Sequence, residues 1–560
     1  MNPTVAFTGM LPAILILSTV FTAPLTWFIL RRYRSAVMRS MLSASKSAST
    51  PVGMTGTSGP PPAPGPPPSF VGLDALTAPL PGTQSFRSAR RSQWCAASVY
   101  MAAGMAYSLV HAATWMLVSG GGWIPVRFLW LFAVHGFPAV LAAGLVSLHR
   151  KERTLLGGVY FAALVAVAGI ALLRNPGLTV ASLVFFFLGT NAPAAVLLLA
   201  FLRRPVRAVG PLVLAFVLTG VAGSFLAVQL AGSSEGFLGA LVAAGAVFGL
   251  GSNALFVLLH LAGFATLALL GWQFLAWIGG RYEQKRISEQ SLVADSMMML
   301  FAVVHSIGYA FDGWLYVLAA PFSFLAFKIV ARLGFLRTGA PKGAGPMLLL
   351  LRVFALGPRS EALFRAVSLR WLHSGSIGLI AGPDLVTTTV EPHEFFAFLG
   401  RRLARQFVGG PADLEKRLAR LDTLPDPDGR YRTNEFFCHR DTWQMTMKHL
   451  AAGSRAVLMD LRGFSPSSQG CRWELEQLLA AIPLARVLFV VDRTTDLACL
   501  RQSFAELRAR MPSTSPNLHS SPLQPRLFRV GAQSDREVES LLKWLYETVE
   551  PRAQEAAAAV

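Results

Sequence analysis

The first 345 residues alternate between long apolar runs and short basic segments. Because a helix that crosses a bilayer needs roughly 20 predominantly apolar residues, runs of this length predict membrane-spanning helices. The candidate spans are residues 11–30, 94–118, 128–148, 155–173, 178–202, 209–230, 254–278, 296–311 and 314–331. This pattern predicts an α-helical polytopic membrane domain.

The seventh candidate span lies in an uncharged stretch, residues 237–278, that is too long for one simple crossing. Glycine and polar residues at 249–253 interrupt this stretch. We therefore interpret residues 254–278 as the span and residues 237–250 as a re-entrant or interfacial helix. Nine crossings result, within a range of seven to nine, because this stretch and the last two spans are short or irregular.

The charges in this region indicate how the chain is oriented. The first 345 residues hold 23 Lys/Arg but seven Asp/Glu, and 21 of those 23 basic residues fall in alternate loops or after the last span. Flanking Lys and Arg are retained on the cytoplasmic side of a membrane. The pattern predicts a multi-pass protein of the cell (inner or plasma) membrane, with its N-terminus outside and its C-terminal domain in the cytoplasm.

The lipid bilayer is the expected environment of the predicted spans. Few polar side chains lie within these spans. Such groups are costly at membrane depth and are therefore functional candidates. Histidine is inexpensive to bury in its neutral form, and a charge relay would need more acids, so we interpret these residues as structural. They are His111, His135, Asn191, His260, Asp295 and His305.

Residues 40–92 interrupt the membrane pattern after the first span. Gly, Pro, Ser and Thr dominate this segment, which includes GPPPAPGPPP at 59–68. Such a composition buries too little apolar surface to order itself, so the segment is predicted to be a disordered cytoplasmic linker. The chain then divides into a first helix with its flank (1–39), the linker (40–92), a multi-spanning domain (93–345) and a soluble domain (346–560).

The soluble domain has nearly balanced charge and an alternating pattern of strands and helices. It holds 27 Lys/Arg and 23 Asp/Glu, and its short apolar runs predict six strands at 347–355, 376–381, 434–438, 456–461, 486–491 and 527–530. Helical patterns separate these runs, including one at 391–407, and Ser534 and Glu537 form a capping box before the last helix. Strands that are apolar throughout predict a doubly wound, mainly parallel sheet covered on both faces.

Ligands of such sheets bind beyond the carboxyl ends of the strands. The candidate binding residues there are Gly357, Ser360, Gly382, Asp384, Arg462 and Asp492, with Asp460 as a candidate catalytic carboxylate. The sequence contains no Walker A motif, GxGxxG, GxSxG or CxxC pair. We therefore expect no metal site and no bound cofactor, and nucleic acid is not an expected partner.

Residues 456–479 carry the most specific pattern in this domain. An apolar strand ends at Asp460 and leads through a Ser-rich loop into a helix that contains Cys471, Glu474 and Leu475. Together with Ser468, this segment resembles the Toll/interleukin-1-receptor (TIR) domain, in which Ser, Trp-Cys and Glu-Leu open the corresponding helix. The next strand, RVLFVVD, also resembles its TIR counterpart, and residues 347–361 resemble the first strand and loop. This flavodoxin/TIR-like resemblance covers about 200 residues.

The chain departs from the TIR pattern at several positions. Gly470 occupies the place of the tryptophan, the first loop lacks the usual acidic residue, and residues 376–407 resemble an extra strand and helix. Many TIR domains are interaction modules that self-associate, whereas others cleave the nicotinamide–ribose bond of NAD. In those enzymes the helix glutamate is catalytic, and the resemblance implies that role for Glu474. The alternative is that Glu474 is a solvated first-turn acid favoured by the helix dipole.

Three hypotheses about function follow. The first is a membrane sensor or receptor-like protein that signals through self-association or partner binding of a cytoplasmic TIR-like domain. The second is a membrane-anchored NAD glycohydrolase of the same architecture, with NAD as its substrate. The third is a transporter or channel that the cytoplasmic domain regulates.

Overall fold

The computed structural model describes residues 3–43, 69–74, 84–120, 122–147, 150–201, 209–232, 234–310, 312–338, 343–352, 358–382, 392–520, 523–531 and 533–549. The chain divides into two compact units. The membrane unit comprises Met1–Tyr33, Trp94–Gly339 and Thr389–Leu399. The α/β unit comprises Arg34–Gln93, Ala340–Thr388 and Gly400–Val560.

The membrane unit is built from apolar helices that begin and end close to the predicted spans. They are α1 (Pro3–Leu42), α2 (Gln84–Val118), α3 (Pro125–His135), α4 (Phe137–Ser147), α5 (Arg150–Arg174), α6 (Val180–Phe201), α7 (Gly210–Gly232), α8 (Glu235–Val247), α9 (Ser252–Glu283), α10 (Glu289–Ala310) and α11 (Ala319–Arg337). A 3-10 turn, Trp314–Leu318, precedes α11. Within one span, α3 and α4 meet at Gly136, where Pro138 cannot donate a backbone hydrogen bond to the preceding turn.

Eight helical segments in the described residues are long and apolar enough to cross a membrane. They coincide with the second to ninth predicted spans, so the chain is a multi-pass membrane protein. The predicted first span, residues 11–30, lies inside α1. Helix α8 coincides with the predicted re-entrant or interfacial helix, and its 13 residues are too few for a crossing.

The closest helix packing in the membrane unit joins α7 and α9. The two backbones approach at Gly223 and Gly263, where a Cβ on either glycine would collide with the carbonyl oxygen of the other. Small residues permit such an approach between membrane helices, where packing rather than the hydrophobic effect drives association. These two glycines therefore set the distance between α7 and α9.

The α/β unit contains an eight-stranded sheet within the described residues, and all of its strands are parallel. The strands are β1 (Val71–Asp74), β2 (Leu348–Arg352), β3 (Ile377–Ala381), β4 (Phe407–Val408), β5 (Thr433–Cys438), β6 (Ala456–Asp460), β7 (Val487–Val491) and β8 (Arg526–Arg529). Their order across the sheet is β1-β8-β7-β6-β2-β3-β5-β4. All six predicted strands are present, so the prediction of a parallel α/β domain is confirmed.

Helices cover both faces of this sheet. Alternate residues of the central strands enter two separate cores, as Leu349 and Val457 do on one face and Leu348 and Leu458 on the other. The helices of the α/β unit are α12 (Pro358–Trp371), α14 (Pro411–Leu418), α15 (Trp443–Gly453), α16 (Gln469–Ala481), α17 (Leu497–Ala509) and α18 (Asp535–Val549). The predicted capping box opens α18, since Glu537 accepts from the Ser534 backbone N–H and Ser534 from that of Glu537.

Part of the predicted linker belongs to this sheet, which differs from the prediction of a disordered segment at 40–92. Strand β1 pairs in parallel with β8, Val71 opposite Arg526. Phe86, near the start of α2, is buried in the second core against Tyr546 at a ring-centroid distance of 5.9 Å. Gly/Pro-rich composition averaged over the whole segment conceals these short apolar stretches. The α/β unit therefore draws on residues from both ends of the multi-spanning region.

The predicted helix at 391–407 is shorter than expected and belongs to the other unit. Helix α13 ends at Leu399, and Pro392–Leu399 groups with the membrane unit. Its Phe396 packs on Gly279 of α9, and Phe398 meets Tyr33 of α1 edge to face. Two phenylalanines of this helix thus pack against membrane helices, and the domain boundary at 346 does not hold for this segment.

Candidate functional site

The candidate site lies where β2, β6 and β7 end and where α12 and α16 begin. Parallel strands bring their carboxyl ends to one edge, so residues distant in sequence meet there. Arg352 and Asp460 are the last residues of β2 and β6 and are paired across the sheet. Asp492 directly follows β7, Arg359 and Ser360 lie in the first turn of α12, and Glu474 lies near the start of α16.

Asp460 is held in a closed, buried ion pair with Arg462. The Arg462 Nε and Nη2 atoms donate to Asp460 Oδ1 and Oδ2 at 2.8 and 2.7 Å. The Arg462 backbone N–H and the Ser360 hydroxyl also donate to this carboxylate, at 3.2 and 2.7 Å. The side chains of Asp460 and Arg462 are 0 and 1% exposed. The carboxylate's accepting capacity is used inside the protein, so this pair organises the edge of the sheet.

A second ion pair extends this arrangement to the surface. Arg359 Nη2 lies 2.5 Å from Asp492 Oδ2, and the Arg359 carbonyl accepts from Arg462 Nη2 at 3.0 Å. Thr494 donates its backbone N–H and its hydroxyl to Asp492 Oδ1 at 2.8 and 2.5 Å. We call Arg359, Ser360, Asp460, Arg462 and Asp492 the carboxyl-edge network. It joins three predicted binding residues, namely Ser360, Arg462 and Asp492, to the predicted carboxylate Asp460.

The carboxyl-edge network keeps Asp492 ionised. Partial burial raises the pKa of Asp492, but the hydrogen bonds from Thr494 and the charges of Arg359 and Arg462 outweigh this effect and lower it. Arg359 is half exposed, whereas Arg462 is enclosed. Arg359 is therefore the cation of this network that an anionic ligand can reach from solvent.

Glu474 lies apart from the carboxyl-edge network and is buried. Only 2% of Glu474 is exposed, so the alternative of a solvated first-turn acid is wrong. Its carboxyl group lines a small cavity together with Arg352 and the apolar side chains of Leu350, Leu351, Phe364, Leu379 and Ile380. Its Oε2 atom has no hydrogen-bond partner among the described residues. A buried acid with an unsatisfied oxygen beside an arginine is typical of functional sites.

Burial raises the pKa of Glu474 to about 8, and the charge of Arg352 offsets this only in part. The neutral acid is thus the main form at pH 7. A cationic ligand in the cavity would favour the ionised form, because an opposite charge nearby lowers the pKa of a carboxyl group.

This raised pKa makes the stability of the α/β unit depend on pH. Between the ordinary pKa of 4.5 and about 8, folded Glu474 keeps a proton that the unfolded chain has released. Unfolding therefore becomes easier as the pH rises through this interval, by a few kcal/mol at most. We expect Glu474→Gln, which mimics the neutral acid, to remove this dependence. The measurement is the thermal midpoint of the α/β unit, read from protease resistance of the full-length protein in nanodiscs.

The readout is the difference in midpoint between Glu474→Gln and the wild type at pH 5 and at pH 8. We expect the midpoint of Glu474→Gln to rise relative to that of the wild type between pH 5 and pH 8. Glu476→Gln, on the exposed side of the same helix, serves as the control and should track the wild type. An equal difference at both pH values would show that Glu474 ionises normally in the folded protein.

The remaining predicted site residues are Gly357, Gly382 and Asp384. Gly382 is buried directly after β3, at the same edge of the sheet. Gly357 and Asp384 lie outside the described residues. Arg352 was not predicted from sequence as a site residue, and Arg359 was covered only by the predicted binding segment at 357–360. Arg352 ends an apolar strand and Arg359 precedes the predicted Ser360, but neither belongs to a recognisable motif.

The site combines a buried acid, an enclosed ion pair and an accessible cation at one edge of a parallel sheet. Arg359 can pair with an anionic group such as a phosphate, since its guanidinium offers several donors in one plane. Glu474 can stabilise positive charge when it ionises. A scan against known protein families finds none that matches this chain, and a search of curated proteins finds no significant relative.

Proposed function

We propose that the chain is a sensor or receptor-like protein of the plasma membrane that signals through a cytoplasmic TIR-like domain. The observation that carries this proposal is the placement of Glu474, buried at the carboxyl edge of a parallel sheet. The TIR resemblance implies a glutamate at this position. Self-association of the domain is the proposed route of signalling, as in interaction modules of that family.

The strand order supports a TIR-like arrangement. Strands β3-β2-β6-β7-β8 follow the order 2-1-3-4-5 of flavodoxin-type sheets. Strands β5 and β4 extend the sheet beyond β3, and β1 extends it beyond β8. The additional strands therefore lie at the sheet edges, and in a TIR-like arrangement residues 376–381 would be the second strand.

The start of α16 supports the same assignment. Ser468 occupies the N-cap position of α16, and Cys471 and Leu475 are buried in the core below it. Glu474 lies between these two positions and points into the cavity lined by Arg352. Gly470, at the place of the family's tryptophan, leaves open space beside its Cα atom.

A second candidate function, cleavage of NAD, is favoured by the chemistry of this cavity. Loss of nicotinamide leaves positive charge on the ribose carbon, and a carboxylate beside it stabilises that charge. Glu474 is the buried acid available for this role, because Asp460 is fully paired. Under this proposal Arg359, which is half exposed at the same edge of the sheet, would bind a phosphate of the dinucleotide. NAD is then a substrate of the α/β unit.

Strand pairing also supports the proposed orientation in the membrane. Strand β1 precedes the eight candidate spans and β8 follows them, yet the two strands pair in one sheet. An even number of crossings returns a chain to the side on which it started. This pairing favours one side of the membrane for the segment before α2 and the C-terminal domain, and the basic loops favour the cytoplasmic side.

Reporter fusions test this orientation. A reporter that is active only outside the cytoplasm should stay inactive after Val560 or Ser92 and become active after Gly120 or Ser233, because the alternate loops lie on opposite sides. A reporter that is active only in the cytoplasm, fused at the same four positions, provides the control for expression. External activity at Val560 would contradict a cytoplasmic α/β unit.

A further inference from the structure

Three histidines from separate helices of the membrane unit meet at one point. His111 of α2, His135 of α3 and His305 of α10 each place a ring nitrogen within 4.8 Å of a ring nitrogen of the other two. Their exposed fractions are 0, 1 and 5%. We call these residues the three-histidine cluster. From sequence alone these histidines are expected to be structural, because neutral histidine is inexpensive to bury and few acids accompany them.

Each histidine of the cluster already has a partner at Nδ1. His305 Nδ1 lies 2.9 Å from the Tyr107 hydroxyl, and His111 Nδ1 lies 3.2 Å from the Tyr309 hydroxyl. His135 Nδ1 lies 2.8 Å from the Leu131 carbonyl oxygen. A carbonyl can only accept, so His135 carries its proton on Nδ1, and the tyrosine oxygens can accept in the same way from the other two. The proton-free nitrogen of each ring is then Nε2.

Two of these three Nε2 atoms lack a hydrogen-bond donor among the described residues. Within the described part of the chain, Nε2 of His111 and of His305 are buried without a partner. His135 Nε2 has the Tyr309 hydroxyl at 3.3 Å, which also contacts the His111 carbonyl oxygen. A buried polar atom without a partner is unfavourable, because it has lost its hydrogen bonds to water without replacing them. Two buried nitrogens without a partner, in three rings whose nitrogens lie within 4.8 Å of one another, are what a site for an electrophile requires.

We propose that the three-histidine cluster binds a divalent transition-metal ion of the Zn²⁺ type. Neutral imidazoles suit such ions, and three histidines with an open fourth position are a known zinc arrangement. The contacts at Nδ1 match the outer-shell hydrogen bonds by which metal-binding histidines are oriented. The fourth position remains for a water, a hydroxide or a small anion.

The observed spacing is compatible with such an ion after small movements. Tetrahedral Zn²⁺ with bonds of about 2.0–2.1 Å holds its nitrogen ligands roughly 3.4 Å apart. Ring nitrogens that lie up to 4.8 Å apart would therefore have to approach each other by at most about 1.5 Å. Each such movement is shared between two side chains. The bound ion would fasten α2, α3 and α10 together. This proposal does not depend on the chemistry of the α/β unit.

The test uses the full-length protein, purified with a tag that lacks histidine and incubated with Zn²⁺. We expect about one zinc per chain after removal of loose metal, and X-ray absorption showing three imidazole nitrogens at about 2.0–2.1 Å. Replacement by Co²⁺ should produce the visible bands of a tetrahedral site. His111→Gln, His135→Gln and His305→Gln should each reduce zinc occupancy at least tenfold at limiting zinc.

His260→Gln is the matched control, because His260 lies in α9 outside the cluster and bonds to the Phe256 carbonyl oxygen. It should retain full zinc occupancy. Tyr309→Phe should weaken zinc binding roughly 10–100-fold, since it removes an orienting contact. Absence of bound Zn²⁺ and Co²⁺ in folded wild-type protein would overturn the proposal, as would equal zinc occupancy in wild type and His305→Gln. If a variant fails to fold, the spectra of the metal-loaded wild-type protein provide the test on their own.

Discussion

If the α/β unit cleaves NAD, as the second candidate function proposes, Glu474→Gln should abolish NAD hydrolysis by the full-length protein reconstituted at high density in vesicles. Glutamine preserves the size of the side chain and much of its hydrogen bonding, but it removes the charge that stabilises a ribosyl cation. Loss of an essential electrostatic group typically lowers a rate on the order of 100-fold or more. The measurement is nicotinamide release, with the thermal midpoint recorded to show that the variant is folded.

Glu476→Gln provides the control, because Glu476 is exposed two positions further along the same helix. It should hydrolyse NAD at the wild-type rate. If the densely packed wild-type protein releases no nicotinamide, the NAD glycohydrolase hypothesis is wrong and the interaction module remains. If activity persists in Glu474→Gln, another acid is responsible. Asp384 is then the next candidate, since Asp460 is already paired with Arg462 and Ser360.

Asp460→Ala should destabilise the α/β unit by about 3–5 kcal/mol, because it leaves the Arg462 guanidinium buried without its carboxylate. Ser360 would also lose the acceptor of its hydroxyl. The measurement is the urea midpoint of the α/β unit, read from pulse proteolysis of the full-length protein. Combining Asp460→Leu with Arg462→Met should restore part of the stability, since an apolar pair can replace a buried ion pair.

Glu506→Ala is the control for this experiment. Glu506 pairs with Arg472 on the surface, where both side chains are more than one third exposed. Exposed ion pairs contribute about 0–1 kcal/mol, so this variant should unfold close to the wild type. A urea midpoint for Asp460→Ala equal to that of Glu506→Ala would show that Arg462 finds other partners or solvent.

The location of the elements could be predicted because each depends on a local pattern. Apolar runs of span length predicted the helical segments from α2 to α11, and short apolar runs predicted β2 and β6 among the six strands. The Ser534–Glu537 capping box was predicted because both of its partners lie within one turn. The pattern at 391–407 predicted a helix but neither its end at Leu399 nor its packing, because the membrane helices that it contacts are distant in sequence.

The environment of the candidate site could be predicted only in part. Strand ends indicated that Ser360, Asp460, Arg462 and Asp492 share one edge of the sheet, and the structure joins them through Arg359. Whether an acid at that edge is paired or free depends on which side chains the fold brings to it, such as Ser360, which lies 100 residues from Asp460 in the sequence. The Asp460 carboxylate accepts hydrogen bonds at both oxygens, whereas Glu474 Oε2 has no partner among the described residues. The two acids look alike in the sequence but differ in their availability to a ligand.

The sequence by itself determined that this is a multi-pass membrane protein with a parallel α/β domain, because span length, hydropathy and strand periodicity are properties of contiguous residues. Only the tertiary structure decided that β1 completes the sheet, that Glu474 is buried beside Arg352, and that His111, His135 and His305 converge. These features depend on residues brought together from distant parts of the chain. Burial and unsatisfied hydrogen bonding arise from that packing, and no local pattern encodes them.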